Sequence, residues 1–366
     1  MKSSPILDIE NLRTYFYAKS KQAFIRAVDE VDLKINRGET LGLVGESGSG
    51  KSITALSIMG LITAEPGVIS GTIEFETDSI RTNLLQCLED YVQLKRKDAR
   101  VMEVHKDFAG WEKHIERVMK RIRGKQISVI FQNPRSSLNP FIPIGKQITE
   151  AILLNRCIKT RREAKERALY WLEQVKMDSP PLRFDSYPYG LSGGMCQRAM
   201  IAMALASEPS LLIADEPSTG LDATIQSKIV DLLQELKSTL NITTMLISHD
   251  IEVIKRLSDT AAVMYGGTVM EYGSARDILF AGLESKHPYT AALLASIPSE
   301  RHIKEKAYLQ AIEGDVLDTI NVPKGCRFYA RCNWVTDRIR EKCQHYEPDL
   351  REISPGHRVR CWLYFD

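Results

Sequence analysis

No stretch of about 18 consecutive apolar residues occurs in the 366-residue chain, so no segment has the length and apolarity of a membrane-spanning helix. The richest run, Ala199 to Ser207, stops at Glu208-Pro209. The opening MKSSPILDIE lacks the apolar region of a secretory signal, and a soluble cytosolic protein is expected. Excess charge is also lacking. Lys+Arg number 49 and Asp+Glu 47, a net +2, which gives no reason to expect nucleic acid as a partner. There is no long internal repeat, no low-complexity tract and no tight C-x-x-C pair. What remains is an ordinary globular composition, 43% hydrophobic and 26% charged, long enough to bury a large core without disulfides.

The pattern along the chain is that of an α/β protein. Ile6–Ile9 and Val31–Ile35 alternate as strands do. Leu41–Val44 is apolar on both faces, as a buried parallel strand is, and runs through a Gly-rich turn into a helical pattern over Ser52–Leu61. Strands are expected again at Ile127–Phe131, Leu211–Ala214 and Thr243–Ile247, with a mostly helical region from about 140 to 205. Residues 79–124 predict a helical insertion in two pieces. Leu84, Leu85, Leu88, Tyr91 and Val92 would share one face, and Trp111, Ile115, Val118, Met119 and Ile122 another. Gly110 would break the two. Lys95, Arg96, Lys97, Lys120, Arg121 and Arg123 would supply its basic solvent faces.

Gly45-Glu46-Ser47-Gly48-Ser49-Gly50-Lys51-Ser52 fits G-x-x-x-x-G-K-[ST] between the buried strand and the helix. Glycines let successive N–H groups turn inward onto phosphate oxygens. Lys51 reaches the β/γ-phosphates, and Ser52 offers a hydroxyl to Mg²⁺ at a helix N-terminus. Leu211–Ala214 ends in Asp215-Glu216. Asp215 is placed to hold Mg²⁺ through water opposite Ser52, and Glu216 to polarise an attacking water. Leu191-Ser192-Gly193-Gly194-Met195-Cys196-Gln197 precedes a helical run and offers a hydroxyl and amides as a second anion site.

With that set the sequence resembles the ATPase subunits of ATP-binding cassette (ABC) transporters. The resemblance implies a P-loop NTPase core of ABC type with a helical subdomain. It makes Ser192 and Gly194 contacts to the nucleotide bound by the opposite subunit. Gln132, in Ile130-Phe131-Gln132-Asn133-Pro134, resembles the Q-loop glutamine that senses Mg²⁺ and water. Asp222 closes a D-loop-like Ser218-Thr219-Gly220-Leu221-Asp222, and His249 resembles the switch histidine at the γ-phosphate. Phe16, flanked by Tyr15 and Tyr17, is the choice for the aromatic that stacks on adenine. One phosphate loop and one signature per chain imply that two cassettes sandwich ATP.

Ser137-Leu138-Asn139-Pro140, His287-Pro288-Tyr289-Thr290 ahead of Leu293-Leu294 and Ile297-Pro298, and Pro323-x-Gly325-Cys326 are similar to dipeptide/oligopeptide and nickel importer ATPases. The implied machine has two membrane permeases, a second ATPase subunit (the same or different) and an extracytoplasmic solute-binding protein. This chain would sit peripherally on the cytoplasmic face of the cell membrane. Export of antimicrobial or other peptides, nickel transport and a soluble non-transport ATPase stay open as alternatives. The span from Lys51 to Ser192 leaves no room for the long coiled coil of chromosome and repair ATPases, and a scaffold would be expected to lose Glu216 or His249. The expected domains are a cassette over 1–280, carrying the insertion, and a tail over 281–366.

Cys87, Cys157 and Cys196 are scattered, whereas Cys326, Cys332, Cys343 and Cys361 crowd the tail. Their spacings, C-x5-C, C-x10-C and C-x17-C, suit either tetrahedral Zn²⁺ or an iron–sulfur cluster, with His345 and His357 as substitute ligands. The family resemblance favours a [4Fe-4S] cluster. Unligated thiols are the third reading.

Overall fold

A computed structural model describes residues 4–96, 102–155, 158, 160–280, 282, 286–297 and 311–365. Lys97, Cys157 and Pro298 lie outside the described residues. The chain forms two compact units. One comprises Met1–Ile6, Ile35–Thr40 and Glu116–Ser248, the other Leu7–Lys34, Leu41–Ile115 and His249–Asp366.

In chain order the first elements are β1 (Pro5–Ala18), β2 (Ala23–Asn36), β3 (Thr40–Val44) and α1 (Lys51–Ile58). β4 (Pro66–Glu76), β5 (Arg81–Asn83), β6 (Val92–Arg96), β7 (Met102–Lys106) and α2 (Phe108–Met119) follow. Next come β8 (Ile127–Ile130), α3 (Pro134–Ser137), α4 (Ile144–Asn155), α5 (Arg161–Gln174), α6 (Pro180–Phe184) and α7 (Gly193–Leu205). After these come β9 (Leu211–Asp215), α8 (Ala223–Leu240), β10 (Thr243–Ile247), α9 (Ile251–Leu257), β11 (Thr260–Tyr265) and β12 (Thr268–Ser274). The end of the chain adds α10 (Ala275–Leu279), α11 (Pro288–Ala295), a helix Asp337–His345, β13 (Arg351–Ser354) and β14 (His357–Val359).

In the first unit β10, β9 and β8 lie side by side, all parallel. Leu211–Ala214 is fully buried, as an apolar strand covered on both faces must be. Polar side chains start the helices around it. Thr160 Oγ1 accepts from the Glu163 N–H ahead of α5, Ser192 Oγ from Met195 N–H ahead of α7, and Asp222 Oδ1 from Ile225 N–H ahead of α8. In α7 the small Ala199, Ala202 and Ala204 are buried with Met200 and Ile201, so the helix is apolar around most of its circumference.

In the second unit β3 pairs in parallel with β11, and the sheet continues through antiparallel β12, β14 and β13. A separate sheet runs in the order β2-β1-β4-β5. All five residues of β3 are buried, which fits the expectation for Leu41–Val44.

The insertion differs from its expectation. Only its second piece is helical, and Gly110 lies inside α2 rather than before it. There the absence of a side chain lets Asp107 accept the Gly110 N–H, because a Cβ would sit 2.2 Å from the Asp107 carboxylate. The first piece is the short β5, a single 3-10 turn over Leu88–Asp90, and the antiparallel hairpin β6–β7. Leu84, Leu85, Leu88 and Val92 are buried as expected, but the chain reaches them through a left-handed Cys87 at φ 61°. Short apolar runs fit both periods, and over Val92–Arg96 the chain is a strand that buries Val92 but leaves Leu94 exposed.

Lys106 ties this hairpin to β4. Its Nζ donates to the carbonyls of Pro66 (2.8 Å) and Val68 (2.6 Å) and lies 5.3 Å from the Trp111 ring centroid. Burial lowers its pKa from 10.5 to about 7. The folded chain therefore holds this proton less tightly than the unfolded chain does. Stability should rise as pH goes from about 7 towards 10.5, where the unfolded lysine also loses its proton. Melting temperatures across that window should climb more steeply for the wild type than for Lys106→Met. Parallel curves would rule the lysine out as the source.

Candidate functional site

The phosphate loop leaves the buried end of β3 with Gly45 at φ 154°. A Cβ there would stand 2.2 Å from the Met264 carbonyl oxygen, and one on Gly50, at φ 103°, would stand 2.3 Å from that of Ala27. Neither position admits another residue. Ser47 and Gly48 are exposed at the tip. Gly50 brings no side chain to cap α1, which begins at Lys51. Lys51 is buried, and its Nζ donates to Gly45 O (2.8 Å), Glu46 O (3.0 Å) and Ser49 Oγ (3.3 Å). The ammonium is thus folded onto the oxygens of its own loop, and Ser52 is half-buried one residue further along. His249, exposed ahead of α9, belongs to this unit.

Glu46 is held at both its backbone and its side chain. Its N–H donates to the Tyr289 hydroxyl (2.9 Å), and its carboxylate takes both terminal nitrogens of Arg331 (2.8 and 3.0 Å). Neither partner was expected from the sequence. The only signals were a tyrosine in His287-Pro288-Tyr289-Thr290 and an arginine just before Cys332.

β1 places the three adjacent aromatics on alternate faces. Tyr15 is buried and donates to Asp29, and Tyr17 is exposed with its ring edge-on to Phe24, 5.3 Å away. Phe16 is half-buried, opposite Pro66.

In the other unit, Asp215 ends β9 directly opposite Ile247 of β10. Glu216 turns out of the strand at φ 48°, its N–H held by Ile247 O at 2.8 Å. A non-glycine residue in that region costs backbone energy, and such residues collect at functional positions. Its Oε2 accepts from Gln132 Nε2 (2.6 Å) and Thr219 Oγ1 (3.0 Å), so the structure brings together the glutamine and the glutamate singled out in the sequence. Ser192 is exposed at the start of α7. A Cβ on Gly194 would lie 2.6 Å from Ile225 of α8, which explains that glycine by packing.

Cys326, Cys343 and Cys361 are buried and Cys332 is half-buried. The Cys326 N–H donates to Cys343 O (2.8 Å). Burial first, and then the neighbouring thiols, push Cys343 up to about 11 and Cys361 to about 12, with Cys326 raised further. The four thiols are therefore within one another's electrostatic reach. Among the described residues, however, no group of three or more His, Cys, Asp or Glu side chains is arranged to hold a metal ion. His357 is committed elsewhere, with Nε2 2.8 Å from the buried Glu271 carboxylate, and His345 is exposed.

A profile of the ABC transporter family matches residues 28–219. The chain belongs to that family. A second profile, the C-terminal region of oligopeptide/dipeptide transporters, matches residues 270–338. The oligopeptide transport ATP-binding protein AppD of Bacillus subtilis is 41% identical over 99% of this chain and 97% of its own length. The oligopeptide transport ATP-binding protein OppD of Haemophilus influenzae is 38% identical over 98% of both. A solved dimeric bacterial ABC transporter cassette superposes on 74% of this chain and 99% of its own with a TM-score of 0.56. At 24% identity that likeness is one of fold. As an ABC cassette the chain is a P-loop ATPase of mixed α/β architecture, for which ATP and Mg²⁺ are the expected ligands. No helix among the described residues is long and apolar enough to cross a membrane.

Proposed function

We propose that this chain is the ATP-hydrolysing subunit of an importer of di- and oligopeptides. The observation that carries this reading is the match of residues 270–338 to the oligopeptide/dipeptide transporter tail, in a chain similar over its full length to oligopeptide transport ATP-binding proteins. The cassette spans about 1–280 and the tail 281–366. The chain works at the cytoplasmic face of the membrane with two permeases, a second cassette and an extracytoplasmic peptide-binding protein.

In the proposed site Gly45, Ser47, Gly48 and Gly50 shape the loop and Lys51 neutralises the β/γ-phosphates. Ser52, Asp215 and Gln132 hold Mg²⁺, and Phe16 stacks on adenine. Bound Mg²⁺ supplies charge neutralisation at the phosphate oxygens. Glu216 orients the attacking water and takes its proton, and His249 contacts the γ-phosphate. Ser192, Gly194 and Asp222 act across the dimer on the partner cassette's nucleotide. The hydrogen bond from Gln132 to Glu216 supports the joint role of those two residues. Purified with its permeases, the chain should hydrolyse ATP faster when peptide-loaded binding protein is added. Hydrolysis indifferent to peptide, by a chain that never copurifies with permeases, would favour the soluble-ATPase alternative.

For the tail we propose that Cys326, Cys332, Cys343 and Cys361 ligate an iron–sulfur cluster. Four thiols are the donor type such a cluster takes, and since the described side chains are not arranged around a metal ion, they would have to close up to ligate it. Anaerobically purified protein should be brown, with about four irons per chain, and Cys326→Ser should be colourless. About one zinc in a colourless wild type would favour tetrahedral Zn²⁺, and metal-free protein would refute both.

A further inference from the structure

Glu46 follows the first glycine of the phosphate loop, and all three of its polar groups are engaged. Tyr289 takes its N–H, Arg331 its carboxylate, and Lys51 Nζ donates to its carbonyl. The first two contacts come from the C-terminal part of the chain, 243 and 285 residues away. Arg331 is itself immobilised. Its Nε donates to Glu313 O (3.0 Å), one terminal nitrogen also reaches Ile312 O (3.3 Å), and the guanidinium lies 5.7 Å from the Tyr265 ring centroid. Only 4% of its side chain is exposed, against 91% for Arg162 in a helix-surface pair with Glu166. Exposed pairs of that kind hold little in place, whereas a planar guanidinium fixed at five oxygens, the Tyr265 hydroxyl (3.4 Å) among them, defines a geometry. Tyr289 is fully buried in an aromatic block with Tyr265 (4.7 Å) and Phe328 (5.3 Å).

Because the tyrosine oxygen occupies the Glu46 N–H, that amide does not serve phosphate. Further along, the Ser49 N–H is itself engaged on Glu46 O (3.2 Å), and the phosphate contacts are assigned to the other amides of the loop. When Lys51 exchanges the Glu46 carbonyl for phosphate, the contacts from Tyr289 and Arg331, together with that Ser49 N–H, keep Glu46 where it was. Gly48, with nothing within 4 Å of its Cβ position, leaves the tip of the loop room to move when Glu46 is not held, and ordering it would be charged against nucleotide affinity.

We propose that Arg331 and Tyr289 are positioning residues of the phosphate loop, fixing Glu46 so that the following amides are preset for nucleotide; this rests on reading Gly45–Ser52 as the nucleotide site. Arg331→Ala and Glu46→Ala should each raise the KM for MgATP about 10-fold with kcat held within about twofold. The double variant should be no worse than either single one, Arg331→Lys should fall between, and Tyr289→Phe should raise KM about threefold. Wild-type KM in Arg331→Ala, or effects that multiply in the double variant, would overturn the proposal. If Arg331→Ala does not fold, Arg331→Lys and Tyr289→Phe decide, and wild-type KM in both overturns it. Lys51→Ala separates the two levels. Undiminished ATP binding by that variant would refute the nucleotide site itself, whereas its loss beside a wild-type Arg331→Ala refutes only the positioning role.

Discussion

Glu216→Gln should still bind ATP and should turn it over about 10³-fold more slowly, the size of a lost general base. The side chain sits on a strained residue at φ 48° just past Asp215, with one carboxylate oxygen committed to Gln132 and Thr219. Glutamine is isosteric and can keep an oxygen towards those two donors, so the local structure should survive. What it lacks is a carboxylate to take the proton of the attacking water. The variant should therefore accumulate as an ATP-bound closed dimer, visible as a doubled mass by light scattering in MgATP and a monomer without it. Wild-type steady-state hydrolysis by Glu216→Gln would remove the glutamate from the chemistry.

Lys51→Ala should abolish ATP binding at concentrations that saturate the wild type, a loss of about 100-fold or more in affinity. The buried ammonium of Lys51 donates to Gly45 O, Glu46 O and Ser49 Oγ. It can exchange those three neutral acceptors for phosphate oxygens, and a charged acceptor makes the stronger bond. Removing it leaves carbonyls facing the incoming phosphates with no cation between them. Fluorescent-nucleotide titration is the direct check. The thermal unfolding curve of the variant without nucleotide should stay close to that of the wild type, and retained affinity would show that the loop amides suffice alone.

The parts of the site legible in the sequence are those whose chemistry is local. Gly45 to Ser52 announces itself because glycine, lysine and serine must fall at fixed offsets between a buried strand and a helix. Asp215 and Glu216 do so because two acids end a strand that is otherwise fully apolar. The segment leading into β6–β7 carries a false helical signal, because Leu84, Leu85, Leu88 and Val92 satisfy a helical period while Cys87 takes a left-handed turn. Three successive aromatics in β1 give no sequence signal for which is buried, and the pleat buries Tyr15 on Asp29 while leaving Phe16 half-buried and Tyr17 exposed. The grip on Glu46 was invisible for another reason. Its two partners lie 243 and 285 residues further along, and no local pattern encodes a pairing that the fold alone creates.

Uptake of a labelled oligopeptide by cells whose own copy of this chain is replaced by the Glu216→Gln variant is the most direct measurement. The variant should be present at the membrane at wild-type level, while uptake falls to the background of cells lacking the chain. Peptide uptake that continues undiminished with the variant in place would contradict its role as the motor of a peptide importer.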